Sequence, residues 1–279
     1  MNPNAGFYSN NNDLQRTWAT DILSSIAFQR NSYRNVLDIG CGSGEVTNIL
    51  LNYVNNVENL IAFDKYESMV EFARAKNPNP KIEYLVADVT KPDSFRPEWR
   101  QKFDLITSFL VLHWTRNQYS NLENIKSVLS PNGEVIISIP FPQEAFLRLT
   151  EVANSAKWSP YFQGFTPEGP INPSWEEFSD EWRFSDGETG YRRMAESLGF
   201  TVKRCTVSLT DYVFPDPQSA KGMISAILPH SQRIPGYKLQ EFMDDVLAMY
   251  LKRCPMDENG KIHYKKDVLV VHLENKPKQ

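Results

Sequence analysis

Cysteine is scarce in this chain of 279 residues: Cys41, Cys205 and Cys254 are an odd count at wide spacings. They suggest neither a disulfide framework nor a zinc ligand set, and they fit a reducing compartment. Long apolar runs are missing too, since none approaches the roughly 20 residues of a membrane helix. No block of like charges stands out, and 30 Lys+Arg face 34 Asp+Glu for a net charge of −4. That balance lacks the electrostatic footprint of a protein whose main partner is nucleic acid. Met1 to Asn12 is rich in Asn and has neither the basic start nor the apolar stretch of a signal peptide. The final Lys-Pro-Lys-Gln matches no prenylation or organelle signal. The expectation is a cytoplasmic protein with no membrane and no nucleic-acid partner. No internal repeat is visible, and 41% hydrophobic residues are ample for a sizeable core.

What is present is a rhythm. Leu14, Trp18, Ile22, Leu23 and Ile26 recur at helical spacing behind Asp13, which predicts a leading helix to about Gln29. Short β-prone runs follow at 36–39, 59–63, 81–86, 103–109 and 134–139. Helical patterns lie between them, through Val46 to Tyr53, Glu67 to Lys76 and Gln118 to Leu129, the last closed by a turn at Ser130-Pro131-Asn132-Gly133. Strands alternating with helices imply an α/β fold with a doubly wound, mostly parallel sheet. After Pro140 the rhythm stops in a proline-rich stretch containing Trp158, Tyr161, Phe162, Phe165, Trp175 and Trp182. This reads either as an irregular insertion burying its own aromatics or as a lid. Helical patterns at 187–198, 220–228 and 239–251 and strand-like runs at 200–214 and 268–271 then complete a seven-stranded sheet. The predicted division is a core over 1–140, a cap insertion over 141–186, and the rest of the sheet with a helical insertion over 187–279.

The sharpest signal is Val36-Leu37-Asp38-Ile39-Gly40-Cys41-Gly42-Ser43-Gly44, placed where a first strand meets a first helix. Glycines there let a ligand approach the backbone at the carboxyl end of the sheet. A dinucleotide fingerprint wants a glycine where Glu45 stands, and an acid such as Asp38 beside the turn repels a pyrophosphate. A cofactor with a cationic head suits Asp38 better, and S-adenosylmethionine carries an ammonium and a sulfonium. Asp64 ends the second strand about 24 residues beyond Gly40, near the roughly 20-residue spacing at which a carboxylate meets a ribose diol. Asp88 ends the third strand, where it can accept from an adenine amino group or serve as a turn acid.

Through 36–44, Asp64, Ala87-Asp88, Phe103 to Ile106 and Leu129 to Gly133, the sequence resembles the Class I S-adenosylmethionine-dependent methyltransferases over roughly residues 13–140. Asn12-Asp13-Leu14-Gln15-Arg16 and Leu112-His113-Trp114 carry a narrower likeness to juvenile hormone acid methyltransferases. Trans-aconitate and malonyl-carrier-protein methyltransferases are more distant likenesses. The resemblance implies S-adenosyl-L-methionine as cofactor, held by Asp38, Gly40, Cys41, Gly42, Asp64, Lys65, Asp88, Val89 and Ser108. It also implies a small-molecule carboxylic acid as substrate, met by Gln15, His113 and Trp114, with Gln15 and Trp114 as the catalytic pair.

Methyl transfer from a sulfonium is an in-line displacement that needs alignment and exclusion of water rather than a metal. A carboxylic acid with a pKa near 4 to 5 is ionised at neutral pH and needs no general base. It needs neutral donors to orient it, and the Gln15 amide and the Trp114 indole N–H are suited. Gln15 otherwise reads as a polar-face residue of the leading helix, and Trp114 as a core aromatic. His113 is the only histidine near the predicted site, because His230, His263 and His272 fall in the late half. An alcohol or amine acceptor would need it as a base, and a carboxylate would not. Tyr8 and Arg16 could reach the methionine carboxylate. The aromatic segment, with Met223, Ile224, Ile227 and Leu228, offers apolar surface for a lipophilic acid or for a cap core. Two other readings stay open: a methyltransferase for a hydroxyl or amine, and an inactive cofactor-binding regulator. A dehydrogenase is a distant third.

Overall fold

The computed structural model describes residues 4–115, 117–140, 151–163, 187–228, 231, 233–252 and 254–276. Seven strands form one sheet: β1 (Asn35–Ile39), β2 (Asn59–Asp64), β3 (Ile82–Val86), β4 (Phe103–Phe109), β5 (Leu129–Pro140), β6 (Thr201–Phe214) and β7 (Ile262–Glu274). Their order is β3-β2-β1-β4-β5-β7-β6. The first five are mutually parallel, and β7 runs antiparallel to both neighbours. The described helices are α1 (Ala5–Ser9), α2 (Asp13–Ser25), α3 (Glu45–Leu50), α4 (Glu67–Lys76), α5 (Gln118–Val128), α6 (Gly187–Ser197), α7 (Pro217–Ile227) and α8 (Gly236–Leu251).

The central strands are apolar on both faces because helices cover both. Alternate residues feed two cores. Val36, Leu60, Leu105, Ile136 and Val270 point toward α2, α3, α4, α7 and α8. Leu37, Ile61, Ile106, Ile137 and Val271 point toward α5, α6 and the Trp99 turn. The period of two along each strand is what divides them. The predicted doubly wound, mostly parallel seven-stranded sheet is the sheet observed.

Several elements differ from their predicted bounds. The expected turn at Ser130 to Gly133 lies within β5: Phe103 pairs with Leu129 and Leu105 with Glu134, so these four residues bulge out opposite Asp104. Asn132 takes a left-handed φ of 60° there, which Asn tolerates. The last strand is far longer than its apolar stretch 268–271, because its first half alternates and pairs with β6. A short helix, α1, precedes the leading helix where only an Asn-rich tail was expected, and Asn4 caps it by accepting the Phe7 amide at 3.0 Å.

Much of the proline-rich stretch, including Phe165, Trp175 and Trp182, lies outside the described residues. In the described part, Trp158 is buried against Phe242 of α8, and its indole N–H donates to Asp245 at 2.8 Å. Met223, Ile224 and Leu228 are core residues of the same cluster.

Candidate functional site

Ligands of open α/β sheets sit at the carboxyl ends of the parallel strands, and the sequence-flagged residues gather at that edge. The glycine turn is fastened to β2: the Gly40 and Cys41 amides both donate to the Phe63 carbonyl, at 2.7 and 3.0 Å. Gly40 has φ +75°, and a Cβ on it would stand 2.4 Å from the Val111 side chain. Gly42 has φ +54°, with the Tyr8 ring 3.4 Å from where its Cβ would be. Only glycine supplies this turn without strain.

Asp64 closes the turn from the neighbouring strand. Its Oδ2 accepts the Gly42 amide and its Oδ1 the Tyr66 amide, each at 3.0 Å. Burial pushes the carboxyl pKa up, against those amide bonds and the Lys65 charge, which favour the anion. Each oxygen keeps a lone pair for a diol. Asp38 is buried beneath the turn, where Oδ2 accepts from Thr47 Oγ1 at 2.6 Å and Oδ1 from Thr107 Oγ1 at 2.8 Å. Burial raises its pKa too, and the two hydroxyls oppose the rise. Asp38 therefore ties β1, α3 and β4 together beneath the turn.

At the end of β3, Asp88 is half-buried. Its Oδ1 accepts both the amide and the hydroxyl of Thr90, at 2.9 and 2.8 Å, which makes it a turn acid. Its Oδ2 has no hydrogen bond among the described residues. Val89 is buried beside it, and its carbonyl accepts from Asn124 at 2.9 Å. Ser108 is buried on β4, with Oγ 3.4 Å from the Ile39 carbonyl. Cys41 is buried, and burial holds its thiol well above the usual range, so it is no nucleophile. Lys65 is exposed, its ammonium 4.9 Å from the Tyr66 ring.

The leading segment lies over the turn. Asn12 Nδ2 donates to Glu45 Oε2 at 3.0 Å and to Ser43 Oγ at 3.3 Å, and Ser9 binds the other Glu45 oxygen. Tyr8 is sunk beside the same acids; burial first, then Glu45 and Asp64, raise its pKa. Arg16 turns back to pair with Asp13. Gln15 sits on α2 with a buried Oε1 that lacks a hydrogen-bond partner among the described residues. His113 and Trp114 follow β4 in a 3-10 turn, Leu112–Trp114, with their rings 5.1 Å apart. The Nδ1 of His113 is likewise buried without a hydrogen bond. Burial above all, then the charge of Lys266, holds His113 well below the usual histidine range, so it is neutral at pH 7. Among the described residues no hydrogen bond joins Gln15 to Trp114.

Sequence reasoning missed Thr47 and Thr107, which tie Asp38 down, and the Asn12, Ser43 and Glu45 network. It also missed Lys266. For Lys266 a signal existed: in Ile262-x-Tyr264-x-Lys266-x-Val268 the lysine occupies an inward position of an alternating strand.

The family profile described as a methyltransferase domain matches residues 37–137, the stretch from the glycine turn through β5. Juvenile hormone acid O-methyltransferase of Bombyx mori is 26% identical over 97% of this chain and 96% of its own length. Malonyl-[acyl-carrier protein] O-methyltransferase of a Paenibacillus species is 30% identical over 91% of this chain and 89% of its own. Among solved structures, a candidate methyltransferase of Bacillus halodurans superposes with a TM-score of 0.56 at 17% identity, covering 92% of this chain and 99% of that one. The [4+2]-cyclase SpnF superposes at 0.51 with 15% identity, over 93% of this chain and 81% of its own, so the fold by itself does not name a reaction. The glycine cradle, the free lone pairs of Asp64 and the free Oδ2 of Asp88 suit a nucleoside. The chain belongs to the Class I methyltransferases, with S-adenosylmethionine as its methyl donor.

Proposed function

We propose that this protein methylates the carboxylate of a small lipophilic acid, of the farnesoic or juvenile hormone acid type, to give its methyl ester. The observation that carries the reading is likeness over about nine-tenths or more of the chain to a juvenile hormone acid O-methyltransferase and to a malonyl-[acyl-carrier protein] O-methyltransferase. The state of His113 supports it. Burial and the nearby Lys266 charge lower its basicity, so a proton leaving an alcohol or amine would meet a weak acceptor. A carboxylate has no such proton to lose.

The bound cofactor supplies an electrophilic methyl group on a sulfonium. In this reading Asp38, Gly40, Cys41, Gly42, Asp64, Lys65, Asp88, Val89 and Ser108 form its binding set. Asp64 and the glycine turn hold the ribose, and Asp88 the adenine edge. Gln15 and Trp114 orient the acid, the amide and indole N–H groups fixing one oxygen so that the other is the nucleophile. Neutral donors suit this work, because they do not bury another charge beside the sulfonium. The cytoplasm is the expected compartment.

The test is a labelled methyl-transfer assay over farnesoic, juvenile hormone, fatty and tricarboxylic acids. The expected product is a base-labile ester. Gln15→Ala should lower kcat/KM by about 100-fold, as loss of an orienting donor does, and His113→Ala by less than about 10-fold. The reverse ranking would point to a hydroxyl or amine acceptor. Cofactor binding without ester from any acid would point to a regulatory protein.

A further inference from the structure

Asn12 and Gln15 have the spacing of a capping box at the start of α2, in which each side chain bonds the other's backbone amide. Neither half is made. Asn12 is the N-cap residue of α2, yet its side chain forms no capping bond, and its Oδ1 is buried with no hydrogen-bond partner among the described residues. The Oε1 of Gln15 is buried without one as well. Elsewhere the same chemistry does cap: Asn4, Asn117 and Asp216 accept the amides of Phe7, Ser120 and Ser219 at 3.0, 2.9 and 2.8 Å. Those three residues have extended backbones, whereas Asn12 has φ −106° and ψ 21°. An N-cap side chain reaches its own helix from the extended region, and Asn12 is held out of it.

Glu45 is what holds it. Asn12 Nδ2 donates to Glu45 Oε2 at 3.0 Å and to Ser43 Oγ at 3.3 Å, and the Ser43 hydroxyl donates to the same Glu45 oxygen. The Ser9 hydroxyl, at the end of α1, takes the other oxygen, Oε1. Glu45 opens α3 directly behind the glycine turn, so one carboxylate gathers the end of α1, the start of α2 and the turn itself. On the far side, a Cβ on Gly222 of α7 would stand 2.0 Å from Asn11 Oδ1, which seats Asn11 and Asn12 between α7 and α3.

An uncapped helix end is less stable, and burying an amide oxygen without a donor adds to the loss. Tethering the leading segment does not require that loss, because Ser9 already joins it to Glu45. What the arrangement does achieve is a Gln15 amide that is not drawn back onto its own helix.

We infer that Glu45 is a positioning residue: by drawing Asn12 off the cap of α2 it keeps the Gln15 amide free to orient the acceptor's carboxylate, and it ties that orientation to the glycine turn. The inference rests on the carboxylate reading above and deepens it. The effect of Glu45 on the acid passes through Asn12 and Gln15.

The test is a double-mutant cycle on kcat/KM for the acid at saturating S-adenosylmethionine, with whichever acid of the panel above the wild type esterifies fastest. Glu45→Ala should lower kcat/KM about 10-fold and Gln15→Ala about 100-fold. In the Gln15→Ala background, Glu45→Ala should cost less than about 2-fold more, because the group it positions is absent. Affinity of Glu45→Ala for S-adenosylhomocysteine should stay within about 3-fold of wild type by titration. Asn12→Ala cuts the same link and gives the same cycle should Glu45→Ala fold poorly. A wild-type kcat/KM in Glu45→Ala, or losses that multiply to about 1,000-fold in the double variant, overturns the positioning role and leaves the carboxylate reading standing. A cofactor affinity that falls as far as the rate overturns it too, because Glu45 would then act on the turn and not on Gln15. A wild type that forms no ester from any acid overturns the carboxylate reading, and the inference with it.

Discussion

Asp64 Oδ2 accepts the Gly42 amide at 3.0 Å, and this one bond joins the end of β2 to the turn that ends β1. The same carboxylate holds the Tyr66 amide at the start of α4. Asp64→Ala leaves two amide donors without their acceptor in a buried place, at a cost of about 1–3 kcal/mol of stability. Cofactor affinity should fall by about 10- to 100-fold, the worth of hydrogen bonds to a charged acceptor. Isothermal titration with S-adenosylmethionine, beside urea unfolding, measures both, and an unchanged dissociation constant would remove Asp64 from the cofactor site.

Gly40 and Val111 are coupled through space. A Cβ at Gly40 would lie 2.4 and 2.5 Å from the two Val111 methyl carbons, at a φ of +75°. Gly40→Ala should therefore cost about 1–3 kcal/mol in backbone strain, plus the clash, and lower cofactor affinity. Val111→Ala in the same chain removes both methyls and should recover part of the loss. Strict additivity of the two changes in a double-mutant cycle would show that the clash is relieved elsewhere.

A second linkage lies at the other end of the sheet. Glu134 is buried, and burial by itself would raise its carboxyl pKa. The bond to His272 Nε2 at 2.6 Å and the Tyr33 hydroxyl at 2.6 Å outweigh burial, so the pKa lies below the ordinary glutamate value. A carboxyl whose folded pKa is depressed stabilises the protein above its unfolded pKa, near 4.3, and loses that contribution as pH falls through the folded value. Glu134→Gln should cost about 3 kcal/mol at pH 7, and the gap to wild type should shrink below pH 4. Denaturant unfolding of both proteins from pH 7 to pH 3 reads this, and a constant gap would mean that the charge is irrelevant.

The parallel half of the fold was legible because each strand carries its own apolar run and each glycine or Asx turn marks its end. The glycine turn, Asp64 and Asp88 were legible for the same reason, as they punctuate strand ends. Two kinds of feature were not. The first half of β7 alternates Ile262, Tyr264 and Lys266 with polar residues, and Lys266 breaks the apolar row that would have announced a strand. Contacts between distant segments, such as Thr107 to Asp38 or Asn12 to Glu45, leave no local pattern because neither partner's neighbours require them. Met223 and Leu228 had two readings in sequence, and the structure buries both in the cluster that includes α8.

The position of β7 governs how the chain can be assembled. β6 reaches the sheet only through β7, and β5 has β7 as its outer neighbour. While the chain is being synthesised, five parallel strands can form with β5 as a bare edge, and β6 has no sheet to join. Both wait for residues 262–274 to leave the ribosome. Until then the β5 edge is open to pairing with other nascent chains, so the last strand made is the one that guards the fold against aggregation.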